Sequence, residues 1–163
     1  MNESIRTIKY DKENDMFKRI LVAVDGSHMA DQALQQAIKL AREMQAKLRI
    51  VHVVDTLNIN LDTEFPSPPE FTNAIIKNGQ AVLRKAEAVA KKAGIAVESH
   101  LIEIDTLGHR IPEMIAADAE AWPADLIVLC THGRKGLSHL FMGSVAEGVV
   151  RVATKPVLLI RGK

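Results

Sequence analysis

Apolar positions along this chain change period repeatedly, and each change marks a boundary between elements. Residues 17–24, Phe-Lys-Arg-Ile-Leu-Val-Ala-Val, form a short apolar run that predicts a strand. Turn residues Asp25-Gly26-Ser27 follow it. Ala30, Ala33, Leu34, Ala37, Ile38 and Ala41 then share one face of a helix, for which Ser27 is a suitable N-cap. Residues 47–54, with His52 among them, predict a second strand, so the chain runs strand, helix, strand, which implies a right-handed crossover and a parallel sheet. Residues 55–69 have no period and carry Pro66, Pro68 and Pro69. A loop of that length off the carboxyl end of a strand is either a lid over a ligand or a plain crossover.

Ile75, Val82, Leu83, Ala86, Val89 and Ala90 predict a second helix over 70–92. Gly79 is expected to kink or split it, and Gly94 to stop it. A third strand is expected over 97–104 and a third helix over 108–121, with Pro112 near its first turn. Residues 125–129 are apolar enough for a strand buried on both faces, Val145, Val149 and Val152 give a fourth helix, and residues 156–160 a fifth strand. Five strands alternating with four helices predict a doubly wound α/β domain with a five-stranded parallel sheet. Residues 1–15 are polar and aperiodic, and are read as a poorly ordered extension before a single domain over 16–163.

The segment between the fourth strand and the fourth helix, Cys130-Thr-His-Gly-Arg-Lys-Gly-Leu-Ser-His-Leu-Phe-Met-Gly-Ser144, carries the candidate chemistry. Free amides at a helix start attract anions, and Gly133 and Gly143 let main chain approach a ligand. Phosphate binding is the chemistry this favours. Neither GxxxxGK[ST] nor GxGxxG occurs in the segment. Each piece also has a plain reading: Ser144 with Glu147 as a capping box, Gly133 and Gly136 as turn glycines, Arg134 and Lys135 as solvated loop. The pieces point to function together, at this spacing and behind a buried strand.

The spacing resembles the nucleotide signature of the universal stress protein family, Gly-x2-Gly-x9-Gly-Ser/Thr. Gly133, Gly143 and Ser144 match it; Cys130 stands where the family has its first glycine. The resemblance covers residues 16–163. It implies an adenine nucleotide alpha hydrolase-like fold with strand order 3-2-1-4-5, which places Asp25 and the Gly133 loop at the switch point between strands one and four. It further implies ATP, with Mg2+, held as a regulatory ligand. Ala23, Asp25 and the main chain of Val53 would meet the nucleoside, while Cys130, Gly133, Gly143, Ser144 and Val145 would surround the phosphates. Asp25 otherwise reads as a turn residue accepting N–H bonds, and Val53 as core. Cys130 is expected to weaken the site, through a strained positive φ or by narrowing the cleft, with a thiol pKa lowered by the helix start; its plain reading is a small inert hydrophobe. The resemblance also implies a homodimer paired through Val157 to Ile160, an apolar edge strand.

Composition removes other classes. A net charge of +1 and 4% aromatic residues argue against a nucleic-acid partner. No apolar run approaches 18 residues, so no membrane span is expected. The single cysteine forms no internal disulfide, and a cytoplasmic protein is expected. The histidines lack zinc-ligand spacing, and no Gly-x-Ser-x-Gly or credible Cys-His arrangement is found, so no catalytic residue is assigned. The remaining alternatives are a nucleotide-independent dimeric interaction module of the same fold, or a very slow ATPase.

Overall fold

Ile20, Leu21 and Val22 are completely buried, and a run of that kind is stable only as a central strand covered on both faces. In the computed structural model, which describes residues 16–57, 68–132 and 142–161, it forms β1 (Arg19–Ala23) at the centre of a five-stranded sheet. The chain continues through α1 (His28–Met44), β2 (Lys47–Asp55), α2 (Pro69–Lys92), β3 (Val97–Ile104), α3 (Ile111–Ala121), β4 (Leu126–Cys130), α4 (Ser144–Val152) and β5 (Val157–Ile160). The sheet is parallel throughout, in the order β3-β2-β1-β4-β5. The doubly wound α/β arrangement expected from the pattern is therefore present.

The pleat sorts each strand between two cores. Ile20, Val22, Leu48, Ile50 and Val128 pack with Leu34 of α1 and Leu83 of α2. Leu21, Val51, Ile127 and Leu129 pack on the other face with Ile115 of α3 and Val149 of α4. Each fully buried leucine or isoleucine contributes about 1.5–3 kcal/mol relative to an exposed one, so the two layers hold the sheet and leave its carboxyl edge to loops.

Local chemistry fixes the ends. The Ser27 Oγ accepts from the Ala30 N–H at 3.1 Å, which caps α1 as expected. α2 ends where expected: Gly94 has φ +75°, its N–H reaches the Lys91 carbonyl at 2.9 Å, and the Ile95 N–H reaches that of Ala90 at 3.1 Å. That is a Schellman end, and glycine takes its left-handed position without a Cβ penalty. Several boundaries shift by one to three residues from expectation, and two of the shifts have a visible local cause. α3 starts at Ile111 because a turn at Gly108 precedes it, which keeps Pro112 in the first turn. β4 starts at Leu126 because Asp125 is spent tying the strands together: its Oδ2 accepts from the Lys18 and Arg19 N–H groups at 2.9 and 2.8 Å.

Gly79 corrects a larger expectation. α2 is one continuous helix over Pro69–Lys92, and Gly79 is buried on the side that faces β2 and β3. A Cβ there would lie 2.9 Å from Leu101 Cδ1 and from Val54 Cγ1, and 3.0 Å from His52 Cδ2. Gly79→Ala gains about 1 kcal/mol of helix propensity but overpacks this contact by about 1–3 kcal/mol. A net loss of up to about 2 kcal/mol is expected in urea unfolding; a stabilised variant would show that the helix lifts away at no cost.

Candidate functional site

The carboxyl ends of β1 and β4 lie side by side, with Val22 paired to Val128, so the segments that leave them emerge together. β1 gives way to Val24, Asp25, Gly26 and Ser27. Gly26 has φ +78°, which lets the chain turn sharply out of the sheet. The Asp25 Oδ1 accepts from the Ser27 N–H at 2.9 Å, so the carboxylate is fixed at the start of α1. The turn reading of Asp25 is thus realised, through one named oxygen.

On the β4 side, the Thr131 N–H donates to the Ile160 carbonyl at 2.9 Å and the Thr131 carbonyl accepts from the Gly143 N–H at 2.7 Å. The second bond brings residue 143 back to the end of β4. Gly133, Gly136, Arg134, Lys135 and His139, on which part of the phosphate expectation rests, lie outside the described residues. Gly143 is the N-cap of α4, at φ −63° and ψ 150°, with no side-chain cap hydrogen bond. The plain reading of Ser144 and Glu147 as a capping box is therefore not realised. Ser144 is already the first helical residue, the Glu147 N–H bonds the Gly143 carbonyl at 2.9 Å, and the Glu147 carboxylate pairs with Arg151 at 2.8 Å. The first turn, including the amides of Ser144 and Val145, presents its dipole toward the β1–β4 edge without a capping side chain.

Cys130 ends β4, half-buried, with Ile160 of β5 as its strand partner. Among the described residues only Gln45 is a non-glycine with positive φ, so Cys130 carries no left-handed strain. Its thiol donates to the His132 carbonyl. Burial pushes the thiol pKa up, main-chain hydrogen bonding at His132 and at Cys130 itself offsets this only in part, and the negative charge of Asp25 adds to the rise. This overturns the expectation of an acidified, oxidisable thiol. Asp25 and Cys130 thus lie within electrostatic reach of each other. The Thr131 hydroxyl lies 2.9 Å from His132 Nδ1.

Ala23 is the last residue of β1, and Val53 sits near the end of β2, packed toward the α3 and α4 face. A depression of about 210 Å3 opens beside the turn, lined by Val24, Gly26 and Asp31 together with Asn78, Val82 and Lys85 of α2. It is smaller than the roughly 300–1,000 Å3 of ligand clefts and lies between α1 and α2 rather than against α4. Among the described residues no three histidine, cysteine, aspartate or glutamate side chains gather as a metal cage. A magnesium ion held chiefly by phosphates, with Asp25 nearby, fits such a donor set.

Residues 16–161 match the model of the universal stress protein family. The chain belongs to the universal stress protein family. Universal stress protein YxiE of Bacillus subtilis is 34% identical over 153 residues, spanning 90% of this chain and all of YxiE. A solved member of the family from Burkholderia pseudomallei shares 35% identity at a TM-score of 0.72, covering 89% of this chain and 96% of its own. The universal stress protein from Archaeoglobus fulgidus solved in complex with dAMP shares 27% identity at a TM-score of 0.65, covering 89% and 98%. The fold of this universal stress protein is thus adenine nucleotide alpha hydrolase-like, as the motif implied. None of its described helices is long and apolar enough to cross a membrane.

Two groups of residues have partners that no local pattern in the chain announces. His52 is 7% exposed, with Nδ1 2.7 Å from the Val24 carbonyl; only its placement in an apolar strand hinted at that. Arg49 forks onto Asp118, with Nε to Oδ2 at 2.8 Å and Nη2 to Oδ1 at 2.9 Å, while His100 Nδ1 lies 2.6 Å from the same Oδ1. An arginine on the same face of β2 as Val51 and Val53 was the available signal.

Proposed function

We propose that this universal stress protein binds an adenine nucleotide, ATP with Mg2+, as a regulatory ligand in the cytoplasm and turns it over slowly at most. One observation carries the reading: the Thr131–Gly143 bond sets an α4 first turn without a side-chain cap beside the end of β4, where Cys130 lies within electrostatic reach of Asp25. The family member solved with dAMP supports adenine as the base. Ala23, the Asp25 carboxylate and the Val53 main chain take the nucleoside. Gly143, Ser144 and the Val145 N–H take the phosphates, together with Gly133, and Cys130 floors the cleft between them. Asp25 is the one protein carboxylate assigned near the phosphate-bound magnesium.

A second reading, an interaction module that has lost the nucleotide, is favoured by Cys130, whose side chain occupies space a glycine would leave open. Calorimetric titration separates the two. Mg-ATP is expected to bind in the micromolar range, about 7–8 kcal/mol, and to be recovered intact after hours. Absence of binding at millimolar nucleotide by folded protein would select the interaction module.

The same reading includes a homodimer. β5 is the last strand in the sheet, and Leu158 is 38% exposed along it. An exposed apolar edge invites pairing, and Pro156 precedes the strand rather than blocking it. Light scattering at high micromolar concentration is expected to give twice the 17.9 kDa chain mass. A monomer at that concentration contradicts pairing through Val157 to Ile160.

A further inference from the structure

β1 and β2 pair from Arg19↔Lys47 to Ala23↔Val51, and the Val24 N–H extends the ladder by donating to the Val51 carbonyl at 2.9 Å. In a regular parallel ladder the next bond would run from the Val53 N–H to the Val24 carbonyl. The pairing stops instead, and the Val24 carbonyl lies 2.7 Å from Nδ1 of His52. A carbonyl only accepts, so Nδ1 carries the proton and donates. The ring is 7% exposed and is sealed from above by α2, whose Gly79 approaches so closely that an added Cβ would sit 3.0 Å from Cδ2. His52 is therefore a packed donor with no freedom to swing. It acts on the carbonyl just before Asp25 and is itself the residue just before Val53.

We infer that His52 is a positioning residue for the nucleoside end of the site. By taking the Val24 carbonyl out of the ladder, it fixes where the Asp25 turn leaves the sheet and keeps the Val53 N–H from being drawn onto β1, so that the Val53 main chain faces a base. The inference rests on the reading that Asp25 and Val53 hold a nucleoside, but the placement of the turn does not depend on any ligand. It also gives Gly79 a second role, since α2 presses the imidazole against its acceptor.

The test compares the full chain with His52→Leu and His52→Asn. The asparagine amide supplies an N–H donor close to the place of Nδ1, and leucine fills space without one. His52→Leu is expected to weaken Mg-ATP binding about tenfold, by stranding a buried carbonyl and loosening the turn, and His52→Asn to return within about threefold of the parent. In nucleotide-free protein, the amide resonances of Asp25, Gly26 and Ser27 shift in His52→Leu and return in His52→Asn. Equal losses in both variants make His52 packing alone and overturn the inference. A parent that binds with His52→Leu unaffected overturns it while leaving the nucleotide reading in place. A parent that binds no nucleotide defeats the nucleotide reading, and the amide resonances then decide the positioning of the turn. Should neither variant fold, the imidazole nitrogen spectrum of the parent decides: a protonated Nδ1 supports the inference and an unprotonated Nδ1 overturns it.

Discussion

Gly143→Val is expected to weaken Mg-ATP binding by at least about 100-fold, or about 2.7 kcal/mol, while costing the fold no more than about 1 kcal/mol. The small cost follows from the backbone: φ −63° and ψ 150° is extended conformation that valine adopts without strain. The two bonds that anchor the residue, from its N–H to Thr131 and from the Glu147 N–H to its carbonyl, are main-chain bonds that survive the substitution. The large loss follows from where the side chain goes. A branched group at the head of α4 stands between an incoming phosphate and the amides of Ser144 and Val145, and anion binding at a helix start depends on direct approach to those amides. Gly143→Ala is expected to fall between. Titration gives the affinities and urea unfolding the stabilities; an unchanged affinity in the valine variant removes Gly143 from the site.

Arg49→Leu is expected to destabilise the domain by about 3 kcal/mol without altering nucleotide affinity, since the Arg49–Asp118 pair lies on the α3 face, away from the β1–β4 edge. The Asp118 side chain is 7% exposed and that of Arg49 is 16% exposed, so removing the guanidinium strands a buried carboxylate. The remaining exposure of Arg49 places the loss toward the lower end for buried pairs. His100, with a 47% exposed side chain, is a partial substitute only. Arg49 also sits 5.8 Å from the Trp122 ring centre, a contact leucine would keep in part as apolar packing. A double replacement, Arg49→Leu with Asp118→Leu, is expected to recover most of the loss, because it removes both charges together. Burial alone would push the Asp118 carboxyl up, but hydrogen bonds from Arg49 and His100 and their charges outweigh it and hold it below the usual carboxylate range. A lowered folded value means stability that is full above the ordinary carboxylate value, near pH 4, and is lost as pH falls through the folded one. Asp118→Asn should therefore flatten the acid limb of the stability profile. An acid limb as steep as the parent's would show that Asp118 does not carry it.

The contrast between these two regions explains what could be read from the chain. The strands and helices followed from period, and the ends of α1 and α2 from Ser27 and Gly94, because those signals act within a few residues. Strand order came from resemblance, since alternation assigns a residue to a face without naming its neighbour. Asp118 is 69 positions from Arg49, and nothing local to either points to the other. Gly79 misled for the same reason. Its local effect is to weaken a helix, but its tertiary effect is to admit Leu101, Val54 and His52, and the second prevails. The capping-box reading of Ser144 fails because the Thr131–Gly143 bond accompanies an N-cap at Gly143, one residue earlier. At Cys130 the strained alternative failed because the strand continues through it to pair with Ile160.

The most direct test of the central claim is an amide-resonance titration of the nucleotide-free protein with Mg-ATP. The account predicts saturable shifts in the micromolar range, largest at Asp25, Gly26, Val53, Thr131 and Gly143 through Val145, with Arg49, His100 and Asp118 unmoved. Shifts concentrated on the α3 face, or no shifts at millimolar nucleotide from a folded protein, would contradict a nucleotide site at the β1–β4 edge.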